Sequence, residues 1–404
     1  MKYLTAFIKQ YKSVLGITIL LLFLLALTLA FDIINQRRYD AFHYLAERMI
    51  QGRVDIPIVG QGAGDYVYFH GKSYWPSGPA PALLYLPFVL TFDIATNGLF
   101  IFIFTLGIGV LIYRLTRRFG FDKINSLWSV LAFIFASPLL AIVWLPREHY
   151  LAHVIIVFFL LLALYEFFTR RRFWLIGIYY AIITATRLTA LPTVFFFIAE
   201  SFWRQRKNWP AFLREMLALG LPILASLLVL GYYNYVRFGN WFESGYALQT
   251  IAPDLERMRQ LGLFSLAHLP GNLYYFFFAA PIPIHPEKTA NLLFPYITFS
   301  HWGLGLIFTA PYYISLCWLW LRDRINLLLG LATLLSAIPI FLYYGIGLTQ
   351  QGYRYGTDFY PLLYVIFLRS IYHHYGNFPR RYRLLFLAII AFNVYLFFVK
   401  LLLP

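Results

Sequence analysis

Apolar residues come in runs of about twenty along this chain, divided by short clusters of arginine, lysine and proline rather than by the polar alternation of a half-buried strand. A bilayer-crossing helix needs ~20 mostly apolar residues. Runs of this kind cover residues 14–34, 94–113, 125–145, 150–168, 215–235, 302–321, 325–345, 358–372 and 384–402. The stretch 173–200 reads in two ways. As one helix it carries Arg204, Arg206, Lys207 and Arg214 to the outer side. As two half-length helices broken around Arg187 it returns them to the inner side, which the positive-inside rule favours. An arginine at membrane depth is tolerable where it lines a cavity. The pattern predicts an all-α polytopic membrane protein of about 11 transmembrane or half-length helices, with the N-terminus inside and the C-terminus outside. It is a single integral-membrane domain spanning residues 1–404, with its C-terminal spans in 302–404.

Composition agrees. Hydrophobic residues make up 61% of the chain and charged residues only 12%, which excludes both a soluble globular domain and a disordered one. The net charge of +16 would suggest nucleic acid in a soluble protein. Sorted by side, it is a topology signal. Twenty of the 33 basic and five of the 17 acidic residues fall on the inner flanks, leaving +15 inside and +1 outside. No nucleic-acid partner is needed. The apolar run after Lys2, Lys9 and Lys12 exceeds the ~7–15 residues of a signal-peptide core and reads as a retained anchor. Cys317 is the one cysteine, so no intrachain disulfide forms.

The polar density gathers in two long outer loops, 35–93 and 236–301, both rich in Tyr, Trp, Pro and Gly. Within them, 79–92 and 263–283 are apolar but short, as expected of interfacial or re-entrant helices. A protein with its long structured loops on one face is expected to work at that face. No internal repeat marks an inverted-repeat transporter.

Several clusters in these loops hold chemistry. Residues 39–50 fit a short amphipathic helix with Asp40, His43, Tyr44 and Glu47 on one face. Asp40 is either a general base beside a span end or part of a solvated face. Asp65 lies among glycines. YFHGKSYW then predicts a tight turn at His70-Gly71-Lys72 between extended pieces. Its aromatics, Tyr74 among them, either stack on a sugar or belong to an interfacial belt, and Lys72 can meet a phosphate. In PREHYLAH, His149 and His153 are four apart, a spacing that suits two metal ligands, while Arg147 and Glu148 can form a salt bridge instead. A divalent metal ion is the one cofactor these residues leave open. Arg237 and Glu243 pair with each other or bind a ligand. In LTQQGYRYGTDFYP, Tyr353, Arg354 and Asp358 face a cavity, or Arg354 and Asp358 neutralise each other at i, i+4. His373-His374 is an ordinary inner flank.

Taken in order, YDAFHYLAERMIQGRVDI, DYVYFHGKSYWPSGPAPALLYLPF, REHYLAH, ATRLTALP, YNYVRFGNWFESGY, FPYITFSHWGLGLIFTAP and QQGYRYGTDFYP resemble the prokaryotic glycosyltransferase-C superfamily, near the dolichyl-phosphate-mannose–protein mannosyltransferase-like (family 39-like) membrane enzymes. The resemblance runs over residues 32–361. It implies transfer of a sugar from a polyprenyl-phosphate-linked donor to a lipid, glycan or protein acceptor, at the outer face of a prokaryotic cytoplasmic membrane. It implies a catalytic base at Asp40, a second site acid at Glu148, and Arg187, Arg354, Tyr353 and Lys72 as holders of the lipid phosphate. Asp65, Tyr74, Arg147 and Arg237 complete the substrate-binding expectation. Better-known relatives often carry an extra soluble domain or additional C-terminal spans, and neither is expected here. Competing readings are a lipid-linked sugar flippase or transporter, an O-antigen ligase or polymerase, and an inactive assembly subunit.

Overall fold

The computed structural model describes residues 41–57, 65–92, 96–286 and 289–402, with scattered positions between 16 and 30. Most of the expected first span, and Asp40, lie outside the described residues.

The architecture is almost wholly helical. The first long loop holds α1 (Ala41–Ile50), a hairpin of β1 (Val67–Phe69) and β2 (Lys72–Tyr74), and α2 (Ala80–Phe92). There follow α3 (Asn97–Arg118), α4 (Lys123–Phe135), α5 (Leu139–Trp144), α6 (Glu148–Thr169), α7 (Phe173–Thr186), α8 (Phe195–Gln205) and α9 (Trp209–Phe238). The second long loop carries α10 (Pro253–Arg259), α11 (Leu269–Phe277) and a two-residue ladder of β3 (Ile282–Pro283) with β4 (Ile297–Thr298). The chain ends in α12 (Leu306–Thr309), α13 (Leu316–Leu319), α14 (Arg324–Leu342), α15 (Tyr360–Tyr375) and α16 (Arg380–Leu402). Among the described residues five helices, α3, α6, α9, α14 and α16, are long and apolar enough to cross a membrane.

Two expected spans are broken. The 125–145 run divides at Ser137-Pro138, where Ser137 Oγ donates to Phe133 O at 2.6 Å and accepts from the Leu139 N–H at 3.1 Å. Local side-chain bonds of this kind compete with the helical ladder, and proline cannot donate to it. The 302–321 run divides at Ala310-Pro311 into α12, a 3-10 turn and α13.

The 173–200 stretch is a hairpin, as the charge pattern predicts. Helix α7 stops at Thr186, Arg187 is extended (φ −150, ψ 115), and a 3-10 turn containing Pro192 leads into α8. The chain then returns to the end from which it came. Buried Glu200 on α8 lies 4.0 Å from Arg171 before α7, 3.5 Å from Arg204 and 3.4 Å from Arg324 at the start of α14. The same end gathers Arg172–Glu166 at 2.8 Å, the Arg369–Asp323 pair and the Arg118 bond to Phe168 O. This is the basic end of the bundle.

The core centres on α6, whose apolar residues are buried nearly all round and which packs against α3, α7 and α15. Being enclosed, α6 fixes whatever its other end carries. That end is Glu148, His149, Tyr150 and His153.

The loops fold as their patterns predict in two places. On α1, Phe42, Leu45 and Ala46 are buried, while His43 and Glu47 pair at 3.3 Å on the opposite face. The β1–β2 hairpin pairs Phe69 with Lys72 across a His70-Gly71 turn, with φ of 47 and 76. Two positive φ values are what a two-residue turn needs to match strand twist.

Candidate functional site

Opposite the basic end, four segments meet above α6. The first is Asp65, in the left-handed region at φ 72, which aspartate tolerates better than most residues. Its N–H donates to Thr250 O at 2.7 Å, and the Thr250 N–H returns to Tyr66 O at 2.9 Å. Gln249 Nε2 donates to Asp65 O at 3.0 Å and to its Oδ1 at 3.3 Å. These bonds stitch the two long loops together. The Asp65 carboxylate reaches His149 in the first turn of α6, with Oδ2 3.0 Å from Nε2. The His149 ring lies 5.0 Å from that of buried Trp75. Burial pushes the Asp65 carboxyl up. The His149 hydrogen bond and charge, with the charge of Arg354, outweigh this and hold it below the ordinary aspartate range.

One turn along α6, His153 is buried, with Nδ1 2.7 Å from Thr357 Oγ1. The Thr357 hydroxyl donates its own proton to Arg354 O at 2.7 Å. The His153 nitrogen must therefore be the donor to Thr357, which sets its tautomer.

Two arginines complete the group. Arg187, at the hairpin break, places Nε 3.1 Å and Nη2 3.4 Å from the two oxygens of Asp358. Thr189 Oγ1 donates to the same carboxylate at 2.5 Å. Arg354 is 8% exposed. Its Nη1 donates to Leu348 O at 3.3 Å, its Nε finds no partner, and among the described residues no carboxylate is in ion-pair contact with it. The Tyr355 ring is common to both arginines, with its centroid 5.1 Å from the Arg187 guanidinium carbon and 5.3 Å from that of Arg354. Buried Tyr150 presents its ring 5.8 Å from Arg354. Tyr343, Tyr246 and Phe264 extend this aromatic wall.

The structure thus gathers Asp65, Arg187 and Arg354 of the expected residues, with His149 and His153. Glu148, the first residue of α6, is half-buried and makes no side-chain hydrogen bond or ion pair with a described residue. Arg147 is exposed, 5.9 Å from the Tyr150 ring. Other expected residues are engaged elsewhere. Lys72 is exposed on the hairpin, where its charge acts on Asp55. Tyr74 packs with Val67 and Phe238 in a satellite core. Arg237 is buried and donates to Trp75 O and Asn234 Oδ1, both at 2.7 Å, tying α9 to the first loop. Glu243 accepts the Gly245 N–H at 2.6 Å rather than pairing with Arg237. Tyr353 is 1% exposed and donates to Asn272 at 2.6 Å.

One pairing alternative is corrected. Arg354 and Asp358 do not neutralise each other, because residues 354–358 form a 3-10 turn rather than an α-helix. With about three residues per turn, positions i and i+4 point about 120° apart. Asp358 turns instead to Arg187. The two histidines are likewise held by Asp65 and Thr357, and among the described residues no group of three His, Cys, Asp or Glu is placed to hold a metal ion. Asp358, Thr189, Tyr150, Tyr355 and Thr357 carry much of the geometry, yet among them only Asp358, within a polar cluster beside a span, had a sequence signal.

The chain matches no protein-family model, no curated protein and no solved structure. What the fold defines is its class: a mostly helical protein with several helices able to cross a membrane.

Proposed function

We propose that this protein is a membrane glycosyltransferase that moves a sugar from a polyprenyl-phosphate-linked donor to an acceptor hydroxyl at the outer membrane face, with inversion. The observation that carries the reading is Arg354. A guanidinium removed from water with no carboxylate in contact is costly, and a bound anion offsets that cost. Its planar fork suits two phosphate oxygens. The aromatic wall of Tyr150, Tyr355 and Tyr343 offers faces to a sugar ring and a prenyl chain. The spans beside it give that chain a route to lipid.

The chemistry fits these parts. The leaving group is a phosphate that already carries charge, so the site needs cations at the departing oxygen more than a strong acid. The acceptor hydroxyl is a weak nucleophile and needs a base as its bond forms. The resemblance assigns that base to Asp40, just before α1, and a second acid to Glu148. Arg187, committed to Asp358, shares the Tyr355 ring with Arg354.

The test is transfer from a radiolabelled polyprenyl-phosphate hexose to a native lipid extract, in liposomes holding the full chain. Arg354→Gln is expected to lower kcat/KM by about 10²-fold or more. Normal transfer by that variant rejects the reading. Movement of the labelled donor between leaflets without transfer favours the flippase alternative.

A further inference from the structure

Besides Asp40, the first long loop carries Asp55, which is paired with Arg53, and Asp65, which meets a histidine. We infer that His149, oriented by Asp65, is the group that takes the acceptor's proton. This inference rests on the glycosyl-transfer reading and puts His149, in place of Asp40, as the base within it.

The geometry is that of an oriented imidazole. Asp65 Oδ2 stands 3.0 Å from His149 Nε2. An ionised carboxylate only accepts, so Nε2 carries the hydrogen, and in the neutral ring Nδ1 keeps its lone pair. Asp65 is itself fixed at three points, by Thr250 O at its N–H and by Gln249 at its carbonyl and Oδ1. The ring rests against buried Trp75, and its backbone lies in the first turn of the most enclosed of the five span-length helices. His149 nevertheless keeps 28% of its side chain exposed, whereas His153 is enclosed and holds Thr357. The charged group facing the dyad is Arg354, whose charge acts on Asp65, and the enclosed imidazole of His153 lies one turn along α6; Arg147 and Glu148 are the dyad's chain neighbours.

The step balances without a further reactant. The acceptor oxygen forms its bond to the sugar's anomeric carbon while its proton passes to His149 Nδ1. The bond from that carbon to the phosphate oxygen breaks, and its electron pair leaves with the phosphate beside Arg354. The imidazolium is stabilised by Asp65, which stays ionised. His149 is the catalytic residue and Asp65 a positioning residue.

Three variants of the full chain in the liposome assay decide the matter. His149→Gln is expected to slow transfer about 10²–10⁴-fold and to lose the rise in rate from acid to neutral pH. His149→Gly is expected to recover activity on addition of free imidazole. Asp65→Asn is expected to lower kcat while leaving the donor KM within a factor of two. Retention of the pH-dependent rise by His149→Gln, or its loss in Asp40→Asn alone, overturns the inference while leaving glycosyl transfer standing. A readout independent of turnover is carbethoxylation by diethyl pyrocarbonate, mapped by mass spectrometry. His149 should react and His153 should resist. A His149 that resists overturns the inference even where no donor is turned over, a result that would itself reject the glycosyltransferase reading.

Discussion

Arg187 Nε lies 3.1 Å from Asp358 Oδ1, across 171 positions of sequence. The pair joins the break in the α7–α8 hairpin to the 3-10 turn before α15. Asp358 is fully buried and also accepts from Thr189, whose carbonyl takes a 3.1 Å bond from Ser336 on α14. Three elements therefore share one ion pair. Removing one partner leaves a buried charge alone, which typically costs about 3–5 kcal/mol. Arg187→Ala should lower the thermal midpoint in detergent by an amount consistent with that loss. The double variant Arg187→Met, Asp358→Leu should recover most of it.

Arg354 should behave in the opposite way. Its buried cation lacks a carboxylate in contact, so Arg354→Gln should leave the thermal midpoint unchanged or raise it while weakening donor binding. A functional group that destabilises its own fold trades stability for activity. Thermal unfolding and donor titration on one preparation measure both effects. A large fall in midpoint would make Arg354 a structural residue.

Asp65 gives a pH dependence whose sign follows from its lowered folded value. An unfolded aspartate titrates at about 3.9. The native state binds fewer protons there, so the contribution is fully present above that value and is lost as pH falls through the lower, folded one. The Asp65–Thr250 amide should thus exchange faster with solvent below about pH 4, and Asp65→Asn should abolish the change. The side chain is 47% exposed, so salt should weaken the effect.

Gly78 sits where the first loop touches the end of α7. A Cβ there would lie 2.1 Å from Ala185 O, beside the Arg187 break. Backbone cannot swing aside as a flexible side chain can. Gly78→Ala should cost about 1–3 kcal/mol by overpacking and should lower transfer as well, because the displaced carbonyls precede Arg187. Thermal unfolding and the transfer assay report the two effects.

Gly71 tests the hairpin alone. Its φ is +76 and nothing lies within 4 Å of an added Cβ, so Gly71→Ala meets backbone strain without collision. A loss of about 1 kcal/mol is expected, read as faster amide exchange at Val67–Phe69.

Local pattern was enough for much of this molecule. The run lengths indicated helices, and the return of Arg204 and Arg206 to the basic end implied the hairpin at Arg187 because charge on a helix end is set by simple counting along the chain. The His70-Gly71 turn and the helix bearing His43 and Glu47 were also legible, since both depend on residues four or fewer apart. The breaks at Ser137-Pro138 and Ala310-Pro311 were not read, because an apolar run looks continuous where one side chain captures a carbonyl or one proline ends the ladder.

The sequence by itself determined a helical membrane-type chain, its basic end and the polar loops that hold the candidate site. Only the tertiary structure decided which charges meet. Arg354 and Asp358 are close in sequence and part company because a 3-10 turn rotates them away from each other. Arg187 and Asp358, or Asp65 and His149, are far apart in sequence and meet because α6 and its neighbours pack in one particular way. Pairing of charges is a property of distance in space, and periodicity along the chain carries no record of it.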